Sequence, residues 1–187
     1  MVKSGTVSIL LLLISVAQAP AQNAKNDFHY NHTFTRAIEK LQLDFRIDSL
    51  QYYLLTSKKN KYLPKADLVL IHPDSQNEFI ILLDQGISLP QITLSSHVTN
   101  LMDNETDHTL AFYSLDDDFV SEILHADWAV DTQFIPRDQP DKTGYARSFY
   151  QEKSDLQITL ILLTKNLPLL STPKEMRSLR FRPEEPR

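Results

Sequence analysis

Residues 144–164 read GYARSFYQ, then EKSD, then LQITLILLT. The outer stretches, Gly144–Gln151 and Leu156–Thr164, have the composition of strands. Glu152-Lys153-Ser154-Asp155 between them is turn chemistry. A connection this short joins only antiparallel neighbours, because a parallel pair needs a long crossover. In the return strand Leu156, Ile158, Leu160 and Leu162 share one face. Gln157 and Thr159 point the other way, so that second face starts polar and ends apolar. An earlier hairpin has the same form. Asp67–His72 and Glu78–Asp84 are apolar runs, and Pro73-Asp74-Ser75-Gln76-Asn77 separates them. Two hairpins argue against a fully parallel sheet.

Outward from these hairpins, further strands are expected. Leu43, Phe45 and Ile47 alternate with Asp44 and Arg46. Tyr52–Thr56, Thr109–Tyr113, Val130–Ile135 and Ser178–Phe181 are short apolar or aromatic runs. Helical spacing is seen in Phe34, Ala37, Ile38 and Leu41, with Thr33 as N-cap. A second helix is expected from Gln91 to Met102. A third starts at Ser114, carries Asp116, Asp117 and Asp118 in its first turn, and buries Phe119, Val120, Ile123 and Leu124. It ends near Ala126, with Trp128 as a core anchor at its exit. A short helix within 167–177 begins around Pro173. This order predicts an α+β fold, an antiparallel sheet of about six to seven strands flanked by helices. A single domain is expected over 33–181, with a flexible leader at 22–32 and a disordered tail at 182–187.

The N-terminus reads as an export signal. Lys3 supplies charge, Val7–Ala17 is apolar, and Ala19-Pro20-Ala21 fits a peptidase site, with cleavage after Ala21. The apolar stretch is too short for a membrane helix, so no stable membrane insertion is expected after cleavage. The chain has no cysteine, which fits a bacterial periplasm and excludes thiolate zinc sites and a thiol nucleophile. Asn31-His32-Thr33 and Asn104-Glu105-Thr106 are sequons that a bacterium leaves unused. Net charge is −5 and becomes more negative when Lys3 leaves. That sign disfavours nucleic acid as a partner. Lys58-Lys59-Asn60-Lys61 is a local basic patch read as a solvated loop. Only Gly86 and Gly144 follow the leader, too few for a phosphate-cradling loop.

The remaining chemical candidates each have a plain structural reading. Glu122 and His125 have Glu-x-x-His spacing, but a di-iron bundle needs two such pairs; the pair reads as a polar helix flank. His29 and His32 have metal-ligand spacing on a leader that supplies no third ligand. Asp116–Asp118 are consecutive, unlike the alternating ligands of a calcium loop, and read as helix capping. Ser95-Ser96-His97 is a serine–imidazole neighbourhood whose adjacent helical side chains do not face each other. Arg137, Asp138 and Asp141 occupy the longest late loop. Loops 57–64 and 136–144 are the first places to look for a ligand.

Ala111–Phe119, Ala126-Asp127-Trp128, the late hairpin and Ser178-Leu179-Arg180-Phe181 together resemble small exported bacterial proteins of the PsbP/DcrB-like type, over residues 42–181. The resemblance implies an antiparallel sheet sandwiched by helices, an α/β/α sandwich, and an assembly or binding role without a shared catalytic centre. Tyr52 and Tyr53 have no counterpart in that pattern. The expectation is an exported, soluble, periplasmic, non-catalytic binding or assembly module, its partner another protein. No catalytic, cofactor-binding or metal-ligating residue is assigned. The alternative is a hydrolase or metal-binding protein whose site assembles from dispersed residues, with at least two of His72, His97, His108 and His125 meeting carboxylates.

Overall fold

The computed structural model describes residues 32–47, 52–54, 66–102, 110–166 and 172–183. The expected signal at 1–21, His29, the basic patch, both loop 57–64 and His108, and the last residues of the tail lie outside them. In chain order the helices are α1 (His32–Lys40) and α2 (Pro90–Leu101). The strands are β1 (Leu43–Phe45), β2 (Tyr53–Leu54), β3 (Leu68–Ile71), β4 (Glu78–Gln85), β5 (Phe112–Ser114), β6 (Trp128–Phe134), β7 (Thr143–Gln151), β8 (Leu156–Thr164) and β9 (Leu179–Phe181). Seven strands form one antiparallel sheet in the order β2-β3-β4-β8-β7-β6-β5, and β1 pairs with β9 in a separate ribbon. The class is α+β, with helices on an antiparallel sheet.

The late hairpin supplies the centre. Leu156 pairs with Gln151 on one side and Gln85 on the other; the β7 ladder runs the length of β8 and the β4 ladder reaches Leu163. Every residue of β8 is buried. Its leucine–isoleucine face packs with Phe79 and Phe149 beneath α1, the β1–β9 ribbon and residues 119–124. Its other face ends in Ile161 and Leu163, which meet Leu94, Val98 and Leu101 of α2. Each such side chain contributes roughly 1.5–3 kcal/mol by leaving water. Gly144 sits opposite Phe134 in the β6–β7 ladder, and the phenyl ring occupies the space a Cβ would need.

Several boundaries differ from expectation. Thr33 lies inside α1 instead of capping it. The strand expected at Thr109–Tyr113 is Phe112–Ser114, so Ser114 is the end of β5 and no helix cap. Asp116 takes the capping role, its Oδ1 accepting from the Phe119 N–H at 3.1 Å. The following turns are α-like at Asp117–Asp118 and then a π-helix over Phe119–Leu124. Ser121 Oγ donates to the Asp117 carbonyl at 2.9 Å and reaches that of Asp118 at 3.4 Å. This back-bonding competes with the ordinary backbone ladder and accompanies the wider winding. The stripe expected to be buried is broken accordingly, since Ile123 is exposed. The late helix within 167–177 is a single 3-10 turn, Lys174–Arg177.

Candidate functional site

Where β4 ends, Gly86 turns the chain with φ +70° and donates its N–H to the Asp155 carbonyl at 3.2 Å. This ties the segment leading into α2 to the β7–β8 turn. Pro90 opens α2, where its missing N–H costs nothing. Leu89 and Ile92 beside it are 58 % and 62 % exposed. The 87–92 segment forms one wall of a cleft of about 690 Å³, and Trp128, Tyr150 and Glu152 form the other. That volume suits a small organic ligand. Trp128 and Tyr150 are direct cross-strand partners, so they share a sheet face.

The polar start of the second β8 face lies behind Pro90. Gln157, fully buried, donates from Nε2 to the Pro90 carbonyl at 2.9 Å and to Ser148 Oγ at 2.7 Å. Ser148 in turn bonds the Thr159 hydroxyl at 3.0 Å. Gln157 Oε1 has no hydrogen-bond partner among the described residues. On the cleft wall, the Tyr150 hydroxyl donates to Asp155 Oδ1 at 2.9 Å. That bond, with the charges of Asp155, Glu152 and Asp127 around it, holds the phenol above its ordinary pKa. None of the cleft-lining residues is basic.

The sequence candidates fall elsewhere. Arg137 donates from Nε to the Met102 carbonyl at 2.9 Å and from its backbone to Leu101, so it closes the end of α2. Asp141 pairs with Lys165 at 2.5 Å, and that bond lowers its pKa. Lys142 and Gln139 tie the same loop to Glu78, at 3.5 and 2.6 Å. Loop 136–144 is thus fastened to the fold and does not line the cleft. His97 Nε2 meets Asp84 Oδ2 at 2.8 Å, and neither Ser95 nor Ser96 completes a triad with it among the described residues. His72 accepts from the Ser75 N–H and packs edge-on against Tyr52. His125 is the left-handed residue closing the π-helix, φ 52°, so Glu122 and His125 do not share an α-helical face. Of His72, His97 and His125, only His97 is paired with a carboxylate. No group of three metal-ligating side chains occurs among the described residues.

Two buried polar clusters were not foreseen. Arg147, 1 % exposed, makes a fork with Asp131 through Nε and Nη2, both at 2.8 Å. Its Nη1 donates to the Met176 carbonyl at 3.2 Å, and its guanidinium lies 5.3 Å from the Phe119 ring centre. The Tyr145 hydroxyl donates to the same carboxylate. Burial, then this bond to Asp131, pushes the Tyr145 pKa up to about 12. Across the molecule the Tyr52 hydroxyl donates to buried Glu175 at 2.7 Å, which with burial raises its pKa too. Both clusters join the main sheet to the segment carrying Met176. Arg147 and Asp131 are direct cross-strand partners, a relation only the ladder register reveals. Trp128, expected as a core anchor, does pack against the core beneath α2, but it is only half-buried and also forms the cleft wall. The chain matches no family model and no curated protein.

Proposed function

We propose that this chain is an exported, non-catalytic binding module of PsbP/DcrB-like type, acting in the periplasm, and that its ligand enters the cleft between 87–92 and the Trp128–Tyr150 wall. The observation that carries this reading is the cleft itself. It joins an aromatic pair on a rigid sheet to two exposed aliphatic side chains, Leu89 and Ile92. Rigid aromatic and aliphatic walls with a few polar groups are what small-ligand sites are made of. The strong polar clusters, by contrast, are consumed in holding layers together. Arg147 and Asp131 are buried and saturated by each other and by Tyr145 and Met176. The export part of the reading is supported by Lys3, the apolar stretch Val7–Ala17, the small residues Ala19 and Ala21, and the absence of cysteine.

A protein partner has its own supporting feature. β5 is the outermost strand of the main sheet among the described residues, and Phe112 and Tyr113 on it are 39 % and 61 % exposed. Such an edge can accept an added strand.

A fragment screen on the purified protein tests the cleft reading, with the indole N–H resonance of Trp128, the single tryptophan, as reporter. Aromatic and aliphatic fragments are expected to shift it, and Ile92→Glu is expected to abolish the shift. Ile92 is exposed, so the variant retains the fold. A screen without hits, or hits indifferent to Ile92→Glu, contradicts the reading.

A further inference from the structure

We propose that the cleft selects a small organic cation, an ammonium carrying apolar substituents, held against the faces of Trp128 and Tyr150 and neutralised by Glu152. The inference rests on the binding reading above and names the chemistry of its ligand. Two aromatic rings on adjacent strands of one sheet face, with a carboxylate at the same wall, are the elements of a cation cage. The indole and phenol present electron-rich faces. Their apolar bodies, with Leu89 and Ile92 opposite, suit alkyl groups more than a bare metal ion.

The charge balance has the right sign. Glu152 lines the cleft. Asp155 accepts from the Tyr150 hydroxyl at 2.9 Å, and Asp127 Oδ2 accepts from the Glu152 backbone N–H at 2.7 Å, so three carboxylates cluster around this wall. Lys153 in the turn is the neighbouring positive charge, and it is not a lining residue. The amino end of α2 on the far wall adds roughly half a positive charge. That partial charge is smaller than the full charge of Glu152 alone, so an anionic ligand is repelled from the aromatic wall and a cation is drawn to it. Tyr150 is also fixed in place by its bond to Asp155, so its ring is set before a ligand arrives.

Trp128 fluorescence reads the test directly, because no other tryptophan contributes. The protein is titrated at low salt with choline, with the neutral tert-butyl isostere of choline, and with phosphatidylcholine vesicles. The expected result is saturable quenching by choline, with the neutral isostere about tenfold weaker. In Glu152→Gln, choline is expected to bind about tenfold more weakly while the isostere is unchanged. Glu152 is exposed and donates only its backbone N–H to the structure described here, so the variant keeps the fold, which circular dichroism checks. Equal affinity for choline and its isostere overturns the cation assignment and leaves the cleft as an apolar site. No response to any of these probes overturns the cation assignment, and the fragment screen then decides the cleft reading separately. A response to vesicles without one to free choline overturns the assignment to a small soluble cation.

Discussion

Replacing Arg147 by Met removes one member of the most completely buried ion pair described in the molecule. The guanidinium is 1 % exposed and gives Asp131 two bonds at 2.8 Å and Met176 one at 3.2 Å. Methionine fills much of the volume but none of the hydrogen bonds. Asp131, 8 % exposed, is left with the Tyr145 hydroxyl as its remaining described partner. Removing one partner of such a pair costs about 3–5 kcal/mol, mostly the cost of an unpaired buried charge. A domain of this size has only about 5–15 kcal/mol in total, so the variant sits near the edge of folding. Removing both charges is different. Arg147→Met combined with Asp131→Leu relieves the stranded carboxylate but takes an acceptor from the Tyr145 hydroxyl and a donor from the Met176 carbonyl, so the double variant is expected about 1–3 kcal/mol below the parent, a smaller loss than in either single variant. Urea unfolding of the parent, both single variants and the double variant closes the cycle. A coupling of about 3 kcal/mol or more supports the reasoning. A cost below about 1 kcal/mol for Arg147→Met, or additive single effects, refutes it. The cleft lies on the opposite sheet face, so folded Arg147→Met is expected to keep the parent's Trp128 emission.

Gly144→Ala places a methyl group against the Phe134 ring and is expected to cost about 1–3 kcal/mol in urea unfolding; a neutral or stabilising effect would contradict the packing described. Leu94→Ala empties a fully buried site under α2 and is expected to cost about 2–5 kcal/mol. Because α2 carries one cleft wall, the same variant is also expected to weaken fragment shifts at Trp128. Tyr145 gives a pH dependence of definite sign. Its folded pKa, about 12, lies above the ordinary 10.0. The unfolded chain therefore loses this proton first, and the stability the phenol contributes is complete below pH 10 and lost as pH rises toward 12. Alkaline unfolding followed by circular dichroism should show a shallower loss in Tyr145→Phe, and an unchanged slope would count against the assignment.

The two hairpins were legible because turn residues and strand periodicity agree at each. Pro73–Asn77 and Glu152–Asp155 are both polar, and the second ends in a residue, Asp155, that takes the left-handed conformation at φ 48°. The polar start of the second β8 face was also readable, and it marks the end of the sheet where the cleft lies. What it could not show was the cleft. Its walls come from 87–92 and from Trp128, Tyr150 and Glu152, brought together only by the strand order. The apolar spacing of Phe119, Val120, Ile123 and Leu124 suits an α-helix, and nothing in that spacing marks the wider winding that accompanies the Ser121–Asp117 bond. Ser114 looked like a cap because Ser, Asp and Asn share that chemistry; Asp116 outcompetes it once β5 extends to Ser114. Arg147 and Asp131 stand in strands whose neighbours are mostly apolar, a signal that both are buried. Their pairing required the register.

The most direct test of a ligand site between α2 and the aromatic wall is a backbone and side-chain NMR shift map taken with the tightest fragment from the screen. The account predicts that the largest shifts fall on residues 87–92, Trp128, Tyr150 and Glu152, with β5 and the His97–Asp84 pair little changed. Shifts centred on β5, on His97, or spread without a focus would contradict it.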